Sequence, residues 1–116
     1  MSHFPENFPR LVWEADSTHP NESEKLRTEL REVIDPEIGL NIIELGLVRD
    51  VHMDDQQVEM NMILTTPFCP YGPAMIDMTR KKAEDALKRP VRIEMGVEMW
   101  DPSMMEEGAA SDWGLF

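Results

Sequence analysis

The sequence predicts an α+β two-layer sandwich, ordered helix-strand-strand-helix-strand, in which a three-stranded mixed sheet carries two helices on one face. Three observations predict it. Apolar residues recur at helical spacing over residues 21–34 and 70–89, and they alternate with polar ones over 47–53, 57–65 and 91–97. A short turn joins the first two strand segments, making an antiparallel hairpin. A helical crossover joins the last two, which should therefore run parallel.

The elements follow in order. Residues 1–20 read as an irregular arm, interrupted by Pro5, Pro9 and Pro20 and anchored by Phe4, Phe8, Leu11, Val12 and Trp13, most simply a strap packed on the domain. Residues 21–116 then form a single domain. Asn21 and Glu24 have the spacing of a capping box. Leu26, Leu30, Val33 and Ile34 make one apolar face, and Asp35-Pro36 stops the helix because a residue before proline avoids the α region. The stretch 37–46, with Ile38, Leu40, Ile42, Ile43 and Leu45, is too apolar for a free loop and should pack on the core. A turn at Asp54-Asp55-Gln56 closes the hairpin.

Pro70 suits the first turn of the second helix, where a missing N–H does no harm. Met75, Ile76, Thr79, Ala83, Ala86 and Leu87 form its inner face, and Pro90 ends it. Val91, Ile93, Met95 and Val97 alternate as the third strand. Ser103 and Glu106 suggest a capping box for a short final helix, which Gly108 and Gly114 weaken.

Composition narrows the function classes. The chain has 116 residues, 41% of them hydrophobic, enough for one modest core. A domain this small hides a smaller fraction of its surface than a large one, so a homodimer would help it. With 23 acidic against 11 basic residues the net charge is −12. Such a surface repels phosphate backbones and anionic membranes, so neither nucleic acid nor membrane is expected as a partner. The single cysteine rules out an internal disulfide. Residues 1–20 show no apolar core of a secretory signal, and no stretch approaches membrane-spanning length, so the expected location is the cytoplasm.

The candidate chemistry centres on Cys69, which falls where a strand ends and a helix begins. Unpaired N–H groups and the positive end of a helix dipole stabilise a thiolate, which is the nucleophilic and metal-binding form. A buried structural cysteine is the competing reading. Thr65 and Thr66 can bring hydroxyls near the sulfur. Asp35 and Glu37 flank a rigid proline, and two close carboxyls can bind a metal or exchange protons, although helix termination plus solvated charge is the commoner outcome for such a pair. His3, His19 and His52 show no ligand spacing to Cys69 or to one another. No Cys-x-x-Cys is present, so one chain holds no closed zinc or cluster site. The glycines form no phosphate-binding pattern. Most of the ten methionines read as core filling, while Met99, Met104 and Met105 could form an adaptable binding surface.

Asp35-Pro36-Glu37, Asn41-Ile42, Leu45-Gly46-Leu47-Val48, Thr65-Thr66-Pro67-Phe68-Cys69-Pro70 and Trp100-Asp101-Pro102 together resemble, in order and spacing, the SufT/PaaD-like family of metal–sulfur cluster assembly proteins. The resemblance covers residues 24–115 and leaves the arm outside. It implies an iron–sulfur cluster assembly-type domain and an accessory, non-enzymatic role in maturing iron–sulfur proteins or transferring clusters to apo-proteins. It implies that Cys69 is the reactive residue, with Asp35 and Glu37 nearby, and that the partners are the assembly machinery and apo-client proteins. Any iron–sulfur cluster would be held transiently, because a cluster normally takes four protein ligands and one thiolate must share it with a partner. A C2 dimer could bring two Cys69 residues together. The alternatives are an interaction adaptor with a structural cysteine, a maturation factor dedicated to a ring-oxygenating system, and, last, a small thiol enzyme with Asp35, Glu37 or a distant histidine as base.

Overall fold

The structure, a computed structural model, describes residues 11–66 and 70–106. Its elements run α1 (Ala15–Thr18), α2 (Pro20–Leu30), α3 (Ile42–Leu45), β1 (Val48–Met53), β2 (Val58–Met62), α4 (Gly72–Leu87), β3 (Val91–Met95) and a 3-10 turn (Pro102–Met104). The strands form one sheet in the order β1-β2-β3, antiparallel between β1 and β2 and parallel between β2 and β3. This is the expected α+β architecture. Two four-residue helices, α1 and α3, are additions too short for periodicity to reveal.

Alternation decides which face of the sheet is covered. Val58, Met60 and Met62 of β2 are buried, while Glu59 between them is exposed. Val51 and Met53 extend the buried face across β1, and Val91 and Ile93 extend it across β3. Leu26 and Leu30 of α2 and Met75, Thr79, Ala83, Ala86 and Leu87 of α4 close over it. Each large apolar side chain buried this way contributes about 1.5–3 kcal/mol. Thr79, the polar member, donates its hydroxyl to the Met75 carbonyl at 2.7 Å and so leaves no buried donor unpaired. The other face is polar, carrying His52, Glu59, Asn61, Arg92 and Glu94.

Several boundaries depart from expectation. The first helix stops at Leu30, a turn before Asp35-Pro36, because Val33 N–H turns back to the Leu30 carbonyl and Ile34 bridges to Asn41. Ile34 consequently leaves the apolar face and is exposed. Asn21 lies inside α2 and forms no capping box, since the helix begins at Pro20 with His19 as N-cap. The capping box is instead Asn41–Glu44, which opens α3 and holds the apolar 37–46 stretch on the core. In α4 the first-turn proline is Pro73; Pro70 precedes the helix. At the C-terminal end Asp101 caps the 3-10 turn, not Ser103, and Glu106 reaches Arg31 through two bonds of 2.9 Å. Gly108 and Gly114 lie outside the described residues.

The segment after residue 10 is tied down chiefly by Trp13. Trp13 is 2% exposed and donates its indole N–H to the Val48 carbonyl at 3.0 Å. Arg27 stacks 3.9 Å above its ring and donates to both carboxyl oxygens of Asp16, at 2.6 and 2.8 Å, and to the Leu11 carbonyl at 2.9 Å. Burial pushes the Asp16 carboxyl up, but Arg27, Ser23 and the Trp13 N–H outweigh it and hold the group well below the usual carboxylate range. Leu11 and Trp13 therefore strap this segment to the domain, while Val12 is exposed. Phe4 and Phe8 lie outside the described residues.

Candidate functional site

Asp35 is the organising residue of the site. Its backbone N–H donates to the Leu40 carbonyl, and its own carbonyl accepts from Ile38 at 3.2 Å and Gly39 at 2.7 Å. The tight loop this creates needs a positive φ at Gly39, +85°, which glycine adopts without strain. The side chain is fully buried. One carboxyl oxygen accepts the Glu37 N–H at 2.9 Å, and the other accepts the Thr65 hydroxyl at a longer 3.3 Å. Asp35 thus braces its own loop and touches the strand exit 30 residues away in sequence.

The two carboxyls of the Asp-Pro-Glu motif behave differently. Asp35 turns inward to Thr65, while Glu37 is exposed and contributes its backbone N–H. Thr65 and Thr66 are both half-buried after the end of β2. Cys69 lies outside the described residues. The chain resumes at Pro70 and Tyr71, and α4 opens at Gly72 with no side-chain cap and no acidic residue in its first turn. Gly72 packs closely on the end of the sheet: a Cβ there would stand 2.8 Å from Leu64 Cδ1, so that side chain would have to turn aside. The start of α4 thus lies close to Leu64, just beyond the end of β2.

Beside Thr65 an open groove of about 640 Å³ runs between the strand exit and α4. Ile63, Leu64 and Thr65 form one wall, Pro73 and Ile76 the second, and Met95 to Trp100 the third. Trp100 is fixed by its indole N–H, which donates to the Leu45 carbonyl at 2.7 Å. The groove exposes apolar surface: Met95 is 46%, Val97 97% and Met99 79% exposed. Val97 therefore does not continue an inward-facing strand. β3 ends at Met95, and the chain leaves the sheet through Gly96, whose N–H donates to the Met62 carbonyl at 2.8 Å. Of the three methionines proposed as a binding surface only Met99 is exposed; Met105 is buried and Met104 packs on the core.

Sequence reasoning missed this groove, because Met95 and Val97 alternate in the same way whether the strand continues or stops. The isolated Gly96 at the end of an apolar strand was the available signal of close backbone approach. The described histidines are occupied elsewhere. His52 bonds Glu14 at 2.5 Å on the polar sheet face, and His19 bonds Thr18. Among the described residues no group of three or more His, Cys, Asp or Glu converges to hold a metal ion. No helix among them is long and apolar enough to cross a membrane.

Comparison with known proteins bears on the family and the fold. The family model described as "Iron-sulfur cluster assembly protein" matches residues 23–98. The Fe-S protein maturation auxiliary factor YitW of Bacillus subtilis is 41% identical over 63 residues, 53% of this chain and 62% of that protein. The Fe-S protein maturation auxiliary factor SufT of Staphylococcus aureus is 49% identical over 49 residues, 41% of this chain and 56% of that protein. The matches thus span less than two thirds of either relative. The crystal structure of a DUF59 domain from Bacillus anthracis superposes with a TM-score of 0.76 at 25% identity, covering 86% of this chain and 98% of that one. On the match over residues 23–98, the chain belongs to the SufT/PaaD-like family of iron–sulfur cluster assembly proteins.

Proposed function

We propose that this chain is an accessory factor in iron–sulfur cluster assembly that assists maturation of apo-proteins through the Cys69 thiol. The observation that carries the reading is the buried Asp35 bonded to Thr65, four residues before Cys69. Family membership supports the same role. In this reading Asp35 and Thr65 hold the strand exit in place. Thr66 lies between that brace and Cys69, and Glu37 gives the outer side of the site its charge. The uncapped start of α4, three residues beyond Cys69, favours the thiolate.

The cluster is cargo in this account. Cys69 gives one ligand and the partner or a second subunit gives the rest, so the protein acts as a carrier or adaptor and not as an enzyme. Its working unit is the domain over residues 21–116, to which Leu11 and Trp13 of the preceding arm are strapped. Its partners are the assembly machinery and apo-clients, met in the cytoplasm. The apolar groove beside Thr65 supplies surface for those contacts.

The test is anaerobic purification of wild type and Cys69→Ala, with iron and sulfide measured on each and client enzyme activity measured in cells. The expected result is less iron on the variant and lower client activity, with an unchanged melting curve. Equal iron in both, with normal client activity, would overturn the role of the thiol. A second reading, an adaptor that works by surface contact alone, is favoured by the exposure of Val97 and Met99. It expects Cys69→Ala to be silent and Val97→Asp to lower client activity.

A further inference from the structure

The two edges of the sheet are finished differently. The β1 edge is guarded: its register slips between Val48 and Asp50, Trp13 bonds the Val48 carbonyl, and Asp50 accepts the Glu14 N–H at 2.9 Å. Bulges and covering groups of this kind keep an edge from pairing with another chain. The β3 edge has no strand partner beyond β2 among the described residues.

The outward-facing groups of β3 follow from two bonds. The Pro90 carbonyl accepts from Val58 N–H, and Gly96 N–H donates to the Met62 carbonyl, so the even-numbered residues from 90 to 96 direct their backbone groups to β2. Backbone direction alternates along a strand, so Val91, Ile93 and Met95 direct theirs outward. Among the described residues only the Val91 N–H of these is answered, by the Glu84 carboxyl at 3.0 Å.

We propose that this edge pairs with the same edge of a second copy, antiparallel and centred on Ile93, to make a continuous six-stranded sheet. In that register residue numbers sum to a constant, so Ile93 faces its own copy, Arg92 faces the partner's Glu94, and Val91 faces the partner's Met95. Every pairing is complementary. On the covered face apolar meets apolar, and on the polar face each cation meets an anion, twice over by symmetry. The backbone agrees as well, because residues 91, 93 and 95 fall at hydrogen-bonded positions of an antiparallel ladder. Ile93 exchanges two bonds with its copy, and Met95 N–H donates to the Val91 carbonyl in both directions. The Glu84 contact stays in place.

Within one chain Arg92 lies 3.1 Å from Glu94 and 3.5 Å from Glu59, all well exposed. Exposed pairs of this kind are worth little, so exchanging them across the interface costs little. Each dimer half would carry Glu59, Arg92 and the partner's Glu94 side by side. The short strand and the −12 charge on each chain make the association weak, best seen at physiological ionic strength, where screening reaches within about 8 Å. This proposal stands apart from the role of Cys69, and its test does not use cluster chemistry.

The test is sedimentation velocity of the full chain from micromolar to millimolar concentration, with thermal melts confirming that each variant folds. Wild type should show a concentration-dependent dimer. Arg92→Glu, which sets like charges opposite each other, should weaken self-association about tenfold. The double variant Arg92→Glu/Glu94→Arg should restore it. Met95→Pro should also weaken it, because it removes an outward donor and no bond to β2. A wild type that stays monomeric throughout overturns the proposal. So does a dimer indifferent to Arg92→Glu, or a double variant that fails to recover.

Discussion

Replacing Asp35 separates a brace from a functional group. Asp35→Ala deletes the acceptor for the Glu37 N–H at 2.9 Å and for the Thr65 hydroxyl at 3.3 Å. Removing one partner of a hydrogen bond costs about 1–3 kcal/mol when the other is left unsatisfied. The first bond belongs near the middle of that range, because exposed Glu37 lets water reach its N–H; the second, being long, adds about 0.5 kcal/mol. The expected loss is about 2–3 kcal/mol, which for a domain of this size lowers Tm by about 10 °C. Asp35→Asn keeps the shape and the acceptor for Glu37, and the Thr65 hydroxyl can rotate to accept, so the loss falls to about 1 kcal/mol. Urea and thermal unfolding give the stabilities, and client enzyme activity in cells gives the function. Both variants should lower client activity, Asp35→Asn while nearly as stable as wild type. If Asp35→Ala costs less than about 1 kcal/mol, the bracing argument fails. If Asp35→Asn leaves client activity at the wild-type level, Asp35 is a loop brace and no more.

Three further outcomes follow from other contacts. Arg27→Ala should cost about 3 kcal/mol by urea unfolding, since it strips Asp16 and the Trp13 ring of a buried cation; it should also raise the Asp16 pKa in an NMR titration. The low Asp16 pKa contributes stability that is present above the ordinary carboxylate range and is lost as pH falls through the depressed value, and Arg27→Ala should weaken that dependence, leaving the part due to Ser23 and the Trp13 backbone N–H. Gly46→Ala should destabilise far more than Gly39→Ala by thermal melt. Both have positive φ, but a Cβ at 46 would meet the Met104 carbonyl oxygen at 2.1 Å, whereas at 39 it meets nothing within 4 Å. The Glu14 hydrogen bond raises the His52 pKa, with Asp50 adding to it. That contribution to stability is fully present below the ordinary histidine pKa and disappears as pH rises through the raised value. NMR titration of Glu14→Gln should bring the pKa back down, and an unchanged value would refute the pairing.

By itself the sequence determined the order of elements, the antiparallel and parallel pairings and the buried face. Those depend on local alternation and helical spacing, which Val58, Met60 and Met62 or Met75, Thr79 and Ala83 display without reference to the rest of the chain. The Asp-Pro-Glu motif and the lone Cys69 were likewise visible as residue types. Tertiary structure decided what those residues meet. It turned Asp35 inward to Thr65 and left Glu37 outside, a distinction that depends on a loop closing through Gly39. It ended α2 at Leu30, gave the capping box to Asn41, and stopped β3 at Met95. For α2 and β3 a contact further along the chain outweighed the local preference, Ile42 on Val33 and Gly96 on Met62, whereas the Asn41–Glu44 box is local and competes with the same spacing at Asn21–Glu24. The apolar groove and the unguarded β3 edge arise from the same cause, since an exposed methionine and a buried one look alike until their neighbours are known.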